Sequence, residues 1–176
     1  MVLPGPGGRA RKMNSFTAKA ELLYGWLVKI GTALQSPFLL LIRLYWGWQF
    51  WQSGWAHLNN MPKFIEFFTG LGIPAPSLNA HFVAVLEAGG GILLALGLGS
   101  RLIALLLAGD MFVAFVTADR EALFSMFSDT DKFYAAAPYT FLFASLIILI
   151  FGPGKLALDT LIGARFKKQK QATAAT

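Results

Sequence analysis

Cysteine is missing from this 176-residue chain. Disulfides, thiolate metal sites and thiol redox centres are therefore excluded, and any redox role must be borrowed from a cofactor or a partner. Charge is also scarce, at 14% of residues, against about 25% in ordinary soluble domains. Only two histidines are present, His57 and His81, and their spacing resembles no metal site. The glycine run "EAGGGILLALGLG" is not a nucleotide loop, because no strand pattern precedes it and no lysine-serine or lysine-threonine follows it.

What is present is apolar. Hydrophobic residues make up 56% of the chain, and mean hydropathy is +0.57. That composition points to a membrane. The net charge of +6 does not point to nucleic acid, because most basic residues cluster at the ends: Arg9, Arg11, Lys12, Lys19 and Lys29, then Lys155, Arg165, Lys167, Lys168 and Lys170. Such tails suit an anionic lipid surface. No apolar run of signal-peptide type precedes residue 30, so no cleaved leader is expected.

A helix that crosses the hydrocarbon needs about 20 mostly apolar residues. Four stretches qualify, at about 37–58, 80–99, 101–118 and 133–151. The expected fold is all-α, a four-transmembrane-helix bundle with an N-terminal interfacial amphipathic helix and a short helix in the first outer loop. Residues 1–15 read as a disordered basic tail. Residues 16–35 carry Leu22, Leu23, Trp26, Leu27, Ile30 and Leu34 at helical spacing, which suits an interfacial helix or an N-terminal extension of the first span. Residues 36–162 form the membrane domain and 163–176 a basic C-terminal tail. In the first outer loop Pro62 starts a short helix that Gly70, Gly72 and Pro74 stop, and its Phe64, Ile65, Phe67, Phe68 and Leu71 could seat it over the bundle mouth. The excess of Lys and Arg at the ends places both termini in the cytoplasm.

The first span, "RLYWGWQFWQSGWAHL", sorts into two stripes. Arg43, Gly47, Phe50, Gly54 and His57 share one face, and its glycines mark close helix packing. Leu44, Trp48, Trp51 and Trp55 form the adjacent stripe. Interfacial anchoring accounts for Trp55. Trp48 and Trp51 lie deeper, where they serve either as bulky packing groups or, with Phe50, as a contact for a neighbouring subunit or a flat apolar ligand such as a quinone, a carotenoid or another pigment. His57 and His81 both fall near the outer surface, as a possible site there.

Three charges interrupt the spans. A charge at the bilayer centre costs roughly 2.5–3.5 kcal/mol on insertion scales, so Arg43, Glu87 and Asp110 should pair, face inward or serve function. At a rise of about 1.5 Å per residue, Arg43 lies about 8 Å, Asp110 about 14 Å and Glu87 about 18 Å from the cytoplasmic ends of their spans. Arg43 and Asp110 make the easier ion pair if their helices are neighbours. Two readings stay open for the three: one structural polar network, or a proton- or quinone-linked site.

These segments together resemble the DoxX family of small four-helix membrane proteins. The likeness runs from "LLIRLYWGWQFWQSGWAHL" through "FFTGLGIPAPSLNAHFVAVLEAGGGILLALGLGSRLIALLL" to "FGPGKLALD", roughly residues 37–162. The resemblance implies a bacterial or archaeal cytoplasmic-membrane protein tied to oxidoreductase systems. It nominates Arg43, Glu87 and Arg101, with Gly152, Pro153, Gly154 and Asp159 as a structural cap. Relatives often have lysine where this chain has His57. The expected role is a non-catalytic subunit of a larger redox or energy-converting membrane complex, with membrane lipid and other membrane subunits as partners. The alternatives are a quinone-linked oxidoreductase subunit using Glu87 and Asp110 for protons, and a small transporter or assembly factor.

Overall fold

In the computed structural model the described residues are 15–174, so all but Ser15 of the tail expected at 1–15 lies outside them. Eight helices follow in order: α1 Ser15–Asn59, α2 Met61–Gly70, α3 Pro76–Leu96, α4 Ser100–Thr117, α5 Arg120–Phe124, α6 Thr130–Ala135, α7 Ala137–Phe151 and α8 Leu158–Ala174. No strand occurs among the described residues.

The chain divides into two units, Met1–Gln35 and Ser36–Thr176. In the first unit the described residues are helical, and Leu22, Leu23, Trp26, Leu27, Ile30 and Leu34 are all exposed. The second unit holds the rest of α1 and all later helices.

Among the described residues three helices are long and apolar enough to cross a membrane: Lys19–Asn59 within α1, α3 and α4. The predicted fourth span differs. Phe133 falls in α6, Ala136 is extended at ψ 124°, and α7 starts only at Ala137, with Pro138 in its first turn. Proline fits there because its missing N–H has no helical partner in a first turn. The 15 residues of α7 rise about 22 Å, less than the roughly 30 Å hydrocarbon core.

Small residues bring α1 and α3 together. A methyl group on Gly47 would lie 2.6 Å from the Gly91 carbonyl oxygen, and one on Gly54 would lie 2.7 Å from that of Ala84. Ala80, Ala84, Ala88, Gly91 and Ala95 recur on α3 at spacings of three and four, so they form the facing stripe. Beside it, Phe50, Leu94, Ala104, Leu107, Met111 and Ile148 form the main core. A second cluster of Phe115, Ala122, Phe133 and Ala136 packs α4 against the short helices α5 and α6.

A tight turn joins α3 to α4. Gly97 and Gly99 have φ of 73° and 59°, the left-handed region that favours glycine. Bonds from Gly97 N–H to Leu94 O (3.1 Å) and Leu98 N–H to Leu93 O (3.0 Å) close the end of α3.

Candidate functional site

The charged residues of the spans gather at two separate places. The first lies at the α3–α4 turn. Arg43 is fully buried, and its Nη2 donates to the carbonyl oxygen of Leu156, in the segment between α7 and α8. Its guanidinium occupies the space that a side chain on Gly97 would fill. Asp159 completes the cluster: its carboxylate accepts from Gly99 N–H (2.8 Å), Ser100 N–H (2.9 Å) and the Ser100 hydroxyl (3.0 Å), filling the orphan donors at the start of α4. Burial pushes the Asp159 carboxyl up, but these three hydrogen bonds and the Arg43 charge outweigh it and hold the group below the usual aspartate range. Arg101 lies nearby, against the backbone of Gly152, and is exposed.

Arg43 therefore has no bond to Asp110. Depth along the spans made that pair attractive, but depth says nothing of what a later segment brings alongside. The carbonyl and carboxylate near Arg43 come from residues 156 and 159, beyond the last span.

The second place is a cavity of about 600 Å³ between α1, α2, α3, α4 and α7. Its polar wall starts on α1, where Ser53 and His57 stand one turn apart. The Ser53 hydroxyl donates to Glu87 Oε2 at 2.9 Å. His57 Nε2 lies 3.5 Å from the same carboxylate oxygen and 3.3 Å from Ser53 Oγ. Glu87 is only 4% exposed. Across from it Asp110 also lines the cavity, and its Oδ2 is buried with no hydrogen-bond partner. Asp119 is a third carboxyl in the lining, and among the described residues no lysine or arginine contributes. Apart from Asn79 and Thr117, the remaining wall is apolar and ring-rich, with Phe64, Phe67, Phe68, Phe82 and Phe141.

Helix α2 closes one side of this space. Phe64 stacks on the His57 ring at 3.8 Å and 6°. Phe68 is buried and meets Phe64 edge-on at 4.8 Å. The loop-helix phenylalanines thus cover the cavity, and one of them orients its histidine. Chemically, the arrangement offers one buried and one half-buried carboxyl group in a ring-lined space, the buried one linked through a hydroxyl to an imidazole. Such a set can exchange protons with a ligand ring.

The other nominated residues fall outside this space. His81 is exposed, with Nδ1 2.7 Å from the Ser77 carbonyl oxygen, and does not line the cavity. Trp48 and Trp55 are each 54% exposed. Trp51 bridges them, 4.7 Å from the first ring and stacked at 6.2 Å on the second. Phe50 does not share that surface: it is completely buried and packs on Phe141. Its position on the glycine face, between Gly47 and Gly54, explains why. Sequence reasoning overlooked Ser53, although it precedes Gly54 and stands four residues before His57, the spacing that brings side chains together on a helix.

Two comparisons with known proteins bear on this arrangement. The DoxX family model matches residues 38–120, which include α2, α3 and most of the cavity wall. A protein of Bacillus subtilis (strain 168) named "Putative oxidoreductase CatD" is 30% identical over 131 residues, covering 74% of this chain and 89% of that one. No solved structure matches the chain. The chain belongs to the DoxX family and is a multi-pass membrane protein.

Proposed function

We propose that this DoxX-family protein is a redox-linked membrane subunit that binds a quinone-type ring in the α1–α4 cavity and handles its protons through Glu87 and Asp110. The observation that carries this is the joining of the buried Glu87 carboxyl, the half-buried Asp110 carboxyl and the Ser53–His57 pair to a mostly apolar, ring-lined space of about 600 Å³. Ligand pockets generally span about 300–1,000 Å³ and combine apolar walls with a few convergent polar groups. The oxidoreductase name of the B. subtilis relative supports a redox association.

A partner protein supplies the electrons in this reading, and the exposed stripe of Trp48, Trp51 and Trp55 is the surface for a neighbouring subunit. A carotenoid or other pigment on that stripe is less well supported, because none of its three rings reaches the cavity. Helix α7 completes a four-span bundle, with a thinned bilayer or polar flanks accommodating its short length. The termini are cytoplasmic by the distribution of Lys and Arg, and the membrane is the bacterial or archaeal cytoplasmic membrane.

Two measurements test the proposal. Native membranes extracted in mild detergent should yield this chain in a particle larger than itself, with redox subunits beside it. A particle of this chain alone removes the subunit role. Purified protein should bind decylubiquinone saturably, and Glu87→Gln should abolish coupled quinone reduction in the intact complex. Unchanged reduction in that variant refutes the proton role.

A further inference from the structure

The carboxyl groups of the cavity also suit a second class of ligand. Its three carboxyl side chains, Glu87, Asp110 and Asp119, come from α3, α4 and the residue before α5, and among the described residues no lysine or arginine lines it to answer them, only His57 standing 3.5 Å from Glu87. Glu87 has the Ser53 hydroxyl, but Asp110 Oδ2 is buried without a partner. A quinone presents two carbonyl oxygens, which are acceptors and need a protonated carboxyl group or imidazole opposite them. A cation presents the complementary charge.

The rings point the same way. Five phenylalanines line the space, and an aromatic face attracts a cation through its quadrupole, more strongly where water is excluded. Carboxylates alone would favour small hydrated ions. A wall with far more carbon than oxygen penalises those, because their hydration would be lost without replacement. An apolar cation, with its charge buried inside hydrocarbon, suits both kinds of wall.

We infer that this cavity binds lipophilic organic cations, held between the Glu87 and Asp110 carboxyl groups and the phenylalanine rings. The inference does not rest on the quinone reading, since it follows from the carboxyl groups and rings of the lining and not from redox chemistry. It assigns the protein a ligand class that would compete with a quinone for the same space.

Equilibrium dialysis of the purified full-length chain in detergent, with tetraphenylphosphonium as the probe, tests this. Triphenylphosphine oxide, neutral and similarly ringed, serves as the comparison. Tetraphenylphosphonium should bind saturably to wild type, with affinity lowered about tenfold or more in Asp110→Asn and further in the Glu87→Gln/Asp110→Asn double variant. The neutral oxide should show no such dependence. Asp110→Asn is the key variant because Oδ2 has no hydrogen bond to lose, and size-exclusion profile and helical circular dichroism verify its fold. Equal cation affinity in wild type and Asp110→Asn, or no saturable binding by wild type, overturns the inference. Decylubiquinone binding on the same preparations stands or falls separately, so failure of one reading is distinguishable from failure of the other.

Discussion

Replacing Gly54 by alanine places a single methyl group where α1 and α3 touch. That methyl would lie 2.7 Å from Ala84 O and 2.8 Å from Ala88 Cα, both backbone atoms. No side-chain rotation relieves the clash, so the helices must separate or shift. Overpacking of a tight interior costs about 1–3 kcal/mol, and a clash with backbone belongs at the upper end. Alanine also gains up to about 1 kcal/mol over glycine in a helix interior. The expected net loss is about 2 kcal/mol. Gly89, on α3, is the control, because a methyl there meets nothing within 4 Å. Gly89→Ala should be neutral or stabilised by up to about 1 kcal/mol, a gap of about 3 kcal/mol between the two variants. Reversible denaturation in mixed micelles, followed by helical circular dichroism, measures both. Because Ser53 adjoins Gly54, the Gly54 variant should also weaken ligand binding in the cavity. Equal stability of the two variants would refute the close-packing account of the glycine face.

Further predictions concern the two polar clusters and the surface. The contribution of Asp159, whose folded-state pKa is depressed, should be fully present above the unfolded value near about 3.9 and lost as pH falls through the lower folded value. The stability gap between wild type and Asp159→Asn should therefore narrow in acid below about pH 4, and an unchanging gap in an acid titration contradicts the assignment. Phe64→Ala removes the ring stacked on His57, and the loss of such a stacked pair, about 0.5–1.5 kcal/mol, should appear as weaker ligand binding. Phe64→Leu, which keeps bulk but not the stacked face, should fall between wild type and the alanine variant in the same titration. The exposed pair of Lys132 Nζ and Glu121 Oε2, 2.8 Å apart, holds the Glu121 carboxyl low through its hydrogen bond and charge. Lys132→Ala should nevertheless leave thermal unfolding unchanged at physiological salt, because exposed pairs contribute little.

Much of α1 was legible because glycine and tryptophan are unambiguous at helical spacing. Gly47 and Gly54 form the contact with α3, and Arg43, Phe50 and His57 share their face inward. The short helix of the first loop was legible from Pro62 and the following glycines, and its phenylalanines reach the cavity. The partner of Arg43 was not legible, since depth along a span fixes height but not which face of which helix lies opposite. The donors and acceptors around it also come from a turn and a post-span segment, where no periodicity helps. Ser53 was hidden for a different reason: serine is common on helices and becomes informative only when Glu87 is seen beside it. The start of the fourth apolar helix was misread because hydropathy is blind to the extended Ala136 that breaks the backbone before Pro138.

The carboxylate that caps α4 belongs to residue 159, while the N–H groups it receives belong to residues 99 and 100. A ribosome delivers these sixty residues apart. The hairpin of α3 and α4 must therefore enter the membrane with the start of its second helix uncapped, and Arg43 must wait in the interior for the carbonyl of Leu156. The capping of α4 is thus written at the far end of the membrane domain. A chain released before Asp159 is made would carry every long apolar helix and still lack the clasp at the start of α4.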